Sequence, residues 1–153
     1  MVDIRLKQYV YIAVESETLS CHEIEADLGI VADAHKVLGT RGHQLDPSRP
    51  IVNSWQLTHK ENIAVDEQIE ILINRLSPSK EQLIKLVNAK QVEVRLEVVR
   101  YFDHSKGERE FIDEEANFIK LPGQHQLLGW YISSANIAFL ASIEADLDVD
   151  EYN

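Results

Sequence analysis

The stretch GWYISSANIAFLASIEADLDVDEY, residues 129–152, decides how the rest of the chain is read. Trp130, Tyr131 and Ile132 read as a short strand, Ser133 to about Ser142 as a helix, and the remainder as a closing strand with alternating chemistry. In that strand Ala145, Leu147 and Val149 share one face while Glu144, Asp146, Asp148 and Asp150 share the other, because strand side chains alternate with period two. A strand patterned this way needs a sheet to join, and the preceding residues must supply it.

Working back from it, Val92 to Phe102 has the cleanest alternation in the chain. Val92, Val94, Leu96, Val98 and Phe102 face one way and Glu93, Arg95 and Glu97 the other. One buried and one wet face marks an antiparallel or mixed sheet with helices on a single side. Between these two strands, Asp103 to Leu128 holds a dense acidic patch, Glu108, Glu110, Asp113, Glu114 and Glu115, broken by Phe111, Ile112, Phe118, Ile119 and Leu121. That apolar content points to an added hairpin or a short helix.

At the other end, Leu6 to Val14 is a strand rich in Tyr, Val and Ile, apolar on both faces towards its end and therefore interior. Ser20 and Glu23 form a capping box with Leu19 and Ile24 as its staple, and Gly29 stops the helix. Val31 to Pro50, with Gly39, Gly42, Pro47 and Pro50 among polar residues, reads as a long loop of functional or flexible character. Ile51 to Thr58 is a strand around Trp55. Ile63, Val65, Ile69, Leu72, Ile73 and Leu76 fall at helical spacing up to Ser77-Pro78, and Ser79 with Gln82 reads as a second capping box opening a shorter helix. Ser133 caps the last helix, with Ile132 and Ile137 at the staple positions. The order β-α-β-α-α-β-β-α-β predicts one α+β domain over residues 1–153, a two-layer sandwich. Its mixed, mainly antiparallel sheet of about five strands has helices on one face and is ferredoxin-like in flavour.

A chain of 153 residues can bury about 68–70% of its unfolded surface, so it needs no staples. Its one cysteine, Cys21, makes no internal disulfide, and the N-terminal apolar run, Tyr9 to Val14, is too short for a signal peptide or a membrane span. The expectation is a cytoplasmic protein. With 26 acidic against 15 basic residues the formal charge is −11, a field that repels nucleic-acid phosphates and anionic membranes. It suits a basic protein partner and equally suits plain solubility.

Several of these elements together resemble a known family. They are the strand Tyr9 to Val14, Leu19-Ser20 leading to Ile24 and Leu28-Gly29-Ile30, the Gly-containing loop, Ser54-Trp55-Gln56-Leu57, the helix ending Leu76-Ser77-Pro78, the strand from Val92, and the ending Ile143 to Tyr152. Their order is similar to that of the bacterial family catalogued as domain of unknown function 4279. The resemblance implies a compact α+β domain and names no activity; the settings of its members imply toxin-immunity or other accessory binding roles.

Candidate chemistry is sparse. Cys21 at a helix N-terminus can gain thiolate character, but His22 diverges from it by about 100° around the axis. His35, His43 and His59 match no metal-ligand spacing, and Gly39-Thr40-Arg41-Gly42 lacks the strand and lysine of a phosphate loop. No cofactor is implied. In the acidic ladder, carboxylates two residues apart sit roughly 6.8 Å from each other, a repulsion of about 0.6 kcal/mol per pair in water and about 2 near a protein surface. Either cations on a neighbouring strand face it, with Arg95, Arg100, Arg5 and Lys7 available, or the ladder, alone or with Glu108 to Glu115, is an electronegative face for a basic partner. Calcium is a weaker option, since in-line carboxylates on one strand do not wrap an ion as a loop does. The leading expectation is a non-enzymatic binding protein that masks a basic protein, concretely an immunity protein blocking a toxin domain. The rival is a small-molecule or enzymatic site under the 31–50 loop, where Arg41, His43, Arg49 and Trp55 meet an anionic ligand.

Overall fold

Val10, Ile12 and Val14 are wholly buried, and so is Ala13 on the opposite side of the same strand. A strand apolar on both sides belongs in the middle of a sheet, and this one, β1 (Ile4–Ser16), lies there. The structure, a computed structural model, describes residues 4–41, 44–45, 51–61, 63–104 and 129–152. β1 pairs antiparallel with β5 (Val52–His59) on one side and with β6 (Glu93–His104) on the other. β2 (Ala34–Leu38) adds antiparallel to β5, and β7 (Asp146–Tyr152) adds parallel to β6, so the sheet runs β2-β5-β1-β6-β7. β3 (Thr40–Arg41) and β4 (Gln44–Leu45) form a separate two-stranded ladder.

The expected five-stranded mixed sheet is present, with two strands redistributed. Trp130 to Ile132 is not a strand; Trp130 and Ile132 pack partly buried against the core. The fifth strand is β2, inside the stretch read as a loop. Its sequence lacks an apolar face, and it exists because β5 offers an unpaired edge that Ala34 to Leu38 completes. β2 runs parallel to β1 with β5 between them, a split β-α-β unit of ferredoxin-like character.

The helices cover one side. α1 (Cys21–Leu28) starts at the realised capping box, where Ser20 Oγ accepts from the Glu23 amide at 3.1 Å and Glu23 Oε2 accepts from the Ser20 amide at 2.7 Å. It ends at Gly29, whose φ of +67° is the left-handed conformation a Cβ disfavours. α2 (Val65–Leu76) turns Ile69, Leu72, Ile73 and Leu76 inward and is joined by a 3₁₀ turn (Ser77–Ser79) to α3 (Lys80–Asn88). Ser79 does not cap α3. Its hydroxyl donates to the Leu28 carbonyl, tying the start of α3 to the end of α1. α4 (Ser134–Ser142) is capped by Ser133 as expected, but Ile137 is exposed and Asn136 and Leu140 turn inward, because Asn136 Nδ2 donates to Asp66 Oδ1 at 2.8 Å. These helices and the inner residues of β1, β5 and β6 build one apolar core, each fully buried aliphatic side chain contributing about 1.5–3 kcal/mol. Among the described residues no helix is long and apolar enough to cross a membrane.

Candidate functional site

The sheet face away from the helices gathers the charge. On β6 the residues pointing there are Arg95, Glu97, Val99 and Tyr101. The parallel register sets Asp146, Asp148, Asp150 and Tyr152 of β7 beside them in that order, and the antiparallel register sets Ala13, Tyr11 and Tyr9 of β1 beside the first three. Glu97 is thereby flanked by Tyr11 on one side and Asp148 on the other. Carboxylate oxygens of Glu97, Asp148 and Asp150 all lie within 4.8 Å of one another.

Among the described residues Arg95 is the cation that reaches this group, and it is shared. Its Nη2 donates to Glu15 Oε1 at 2.7 Å, while Nη1 lies 3.7 Å from Glu97 Oε2 and 3.9 Å from Asp148 Oδ2, both beyond hydrogen-bond length. Its Nε has no partner. Arg100, the other expected counter-cation, sits five residues on and so faces the helices. It is fully buried, with Nη1 donating to Glu151 Oε1 at 2.9 Å and Nε to Gln8 Oε1 at 3.2 Å. Lys7 is exposed opposite Tyr101.

Glu97 is the unusual member. It is 2% exposed and neither of its oxygens has a hydrogen-bond donor. Burial pushes its carboxyl up from 4.5 to about 7; contact with the Asp150 carboxyl and the charge of Asp148 push the same way, and Arg95 only partly opposes them. Glu97 therefore keeps its proton to higher pH than an ordinary glutamate.

A strip of tyrosines borders the acids. Tyr101 stacks on Tyr152 at 4.9 Å between centroids and on Tyr9 at 6.5 Å, and Tyr9 stacks on Tyr11 at 6.4 Å. Burial first, and then the Glu97 charge, lift the Tyr11 phenol to about 12, and the nearby Asp150 carboxylate raises Tyr152. The Tyr11 and Tyr152 phenols stay protonated, and the strip offers hydroxyl groups and flat apolar surfaces. In sequence, Tyr9 and Tyr11 belong to a strand that reads as apolar on both faces, and nothing in it joins them to the acids. The available signal was the period-two run Asp146, Asp148, Asp150, Tyr152.

The other expected residues fall elsewhere. Glu144 is not in the ladder: it follows α4 at φ +52°, with its amide bonded to the Ala141 carbonyl and the next amide, Ala145, bonded to Leu140, a left-handed helix ending usually given to glycine. Asp146 is exposed and outside the three-carboxylate group. Glu108, Glu110, Asp113, Glu114 and Glu115 lie outside the described residues, as do His43 and Arg49. Arg41 is in β3, and Trp55 is wholly buried in the core, where its ring meets no surface ligand. A cleft of about 240 Å³ opens beside the ends of β1 and β6, lined by Glu15, Glu17 and Glu93 against one cation, Lys90, which is the wrong sign for an anion.

Cys21 is buried, and that burial pushes its thiol up, outweighing the backbone contacts that favour the thiolate. His22 points away, its ring edge-on to His35 at 5.1 Å, and His35 Nε2 meets Glu25 at 2.8 Å. No nucleophile and base meet there. The family model described as Domain of unknown function (DUF4279) matches residues 6–153. No curated protein and no solved structure matches the chain.

Proposed function

We propose, for a chain that belongs to the DUF4279 family of domains of unknown function, a non-enzymatic role: capture of a basic protein on the β6–β7 face. The observation that carries this reading is the imbalance on that face, where, among the described residues, Arg95 is the one cation set against Glu15, Glu97, Asp148 and Asp150. A surplus of negative charge on a semi-exposed surface steers cationic partners and sets association rate and selectivity more than final affinity. Tyr9, Tyr101 and Tyr152 add the rigid, amphipathic area that interfaces favour, and their ring faces accept the guanidinium or ammonium groups a basic partner brings. A basic toxin domain neutralised in the cytoplasm is the concrete partner class, in keeping with the resemblance noted above. The chain's formal charge of −11 extends the attraction beyond the contact face.

The test begins with affinity purification from the native host, followed by stopped-flow association of the purified basic partner with wild type and with Asp148→Lys/Asp150→Lys. The expected result is an association rate at least about tenfold slower for the reversed face, with a flatter dependence on ionic strength. Equal rates and equal salt slopes for the two proteins would rule this face out.

A further inference from the structure

We propose that Glu97, Asp148 and Asp150 form a binding site for a hard divalent cation, with calcium the ion their donor set fits. Acids along one strand stand too far apart to share an ion. The parallel register of β6 and β7 changes this by bringing Glu97 in from the adjacent strand, so that three carboxylates close a triangle whose oxygens lie within 4.8 Å of one another. Calcium binds oxygens at about 2.3–2.6 Å, so two ligands of one ion can be separated by roughly twice that length. A set made only of carboxylates selects calcium, magnesium or manganese over zinc or copper, and the larger calcium ion accepts irregular, partly bidentate arrangements.

Glu97 supplies the independent observation. It is 2% exposed, aimed at Asp148 and Asp150, and both of its oxygens lack a donor. A buried carboxylate left that way is unfavourable, and an ion between the three groups would satisfy it. Arg95 does not fill this place, since its short bond goes to Glu15 and its approaches to Glu97 and Asp148 are 3.7 and 3.9 Å. Among the described residues, four carboxylates less one guanidinium leave three formal negative charges, of which a divalent ion removes two. Asp148, half-exposed, gives a hydrated ion its way in and leaves room for water to complete the coordination. The inference goes beyond capture of a protein partner and is tested without one, so either reading can fail while the other stands.

Terbium, a luminescent substitute for calcium, tests the site in the full chain after chelator treatment. Tyr9, Tyr11 and Tyr152 share the face with the acids and sensitise the emission of a bound ion. The wild type is expected to show saturable emission that calcium displaces. Glu97→Gln and Asp148→Asn should each weaken binding about tenfold or more, while Glu81→Gln, exposed on α3, should not. Calcium should raise the melting temperature of the wild type but not of Asp148→Asn, a surface change that keeps the fold if Glu97→Gln does not. Emission that fails to saturate, that calcium fails to displace, or that survives Asp148→Asn unchanged overturns the proposal.

Discussion

The two faces of the β6–β7 strand pair use the same device in opposite ways. On the helix side Arg100, with no exposure, meets Glu151 at 2.9 Å and Gln8 at 3.2 Å, and Gln8 passes the network on through its Nε2 to the Ile63 carbonyl at 2.7 Å. The cation there is matched, directional and built into the core. On the far side Arg95 makes one short bond, to Glu15, and stands at arm's length from Glu97 and Asp148 while Asp150 crowds in. A matched buried arginine holds strands and helix together. An outnumbered one leaves a carboxyl group short of a partner, a condition that proteins tolerate at functional sites and remove elsewhere.

Arg100→Ala removes a fully buried side chain and strands the polar groups it satisfied, so urea unfolding should show a loss of about 3–5 kcal/mol. A loss below about 1 kcal/mol would mean that the two arginines are equally peripheral. The unmatched half predicts the reverse sign. Glu97 binds its proton more tightly in the folded protein, about 7 against 4.5, so it imposes no charge penalty below pH 4.5, and stability declines as pH rises through 7. In chelated protein at pH 8, Glu97→Gln should therefore be more stable than wild type by about 1–3 kcal/mol, the lower part of the range allowing for solvent screening. The two should converge by pH 4.5. A destabilised Glu97→Gln at pH 8 would show that Arg95 satisfies Glu97 after all.

Much of the frame was legible because it rests on local chemistry. The Ser20–Glu23 capping box, Gly29, the alternation from Val92 and the two apolar faces of β1 each specify their element without help from a distant partner. β2 was not legible, since Ala34-His35-Lys36-Val37-Leu38 has no apolar face and becomes a strand only through the β5 edge. Trp130 to Ile132 misled for the opposite reason: apolar residues anchor that segment to the core while the Ser133 amide bonds Asp66 at 2.8 Å. In the site, Arg95 and Arg100 were both available cations, but they stand five residues apart and so on opposite faces, and of the two Arg95 turns to the acids. What the sequence could not state was the parallel register that carries Glu97 up to Asp148 and Asp150, because nothing in either strand alone fixes which residues of the other it meets. Alternation likewise ran one residue pair too far at Glu144, where the helix ending takes a left-handed turn.

The β6–β7 face holds more carboxylate than its described partners satisfy. An NMR titration of the Glu97 side-chain carboxyl in chelated wild-type protein tests this most directly. The expected midpoint is near 7. A midpoint at the ordinary value of 4.5 would contradict it.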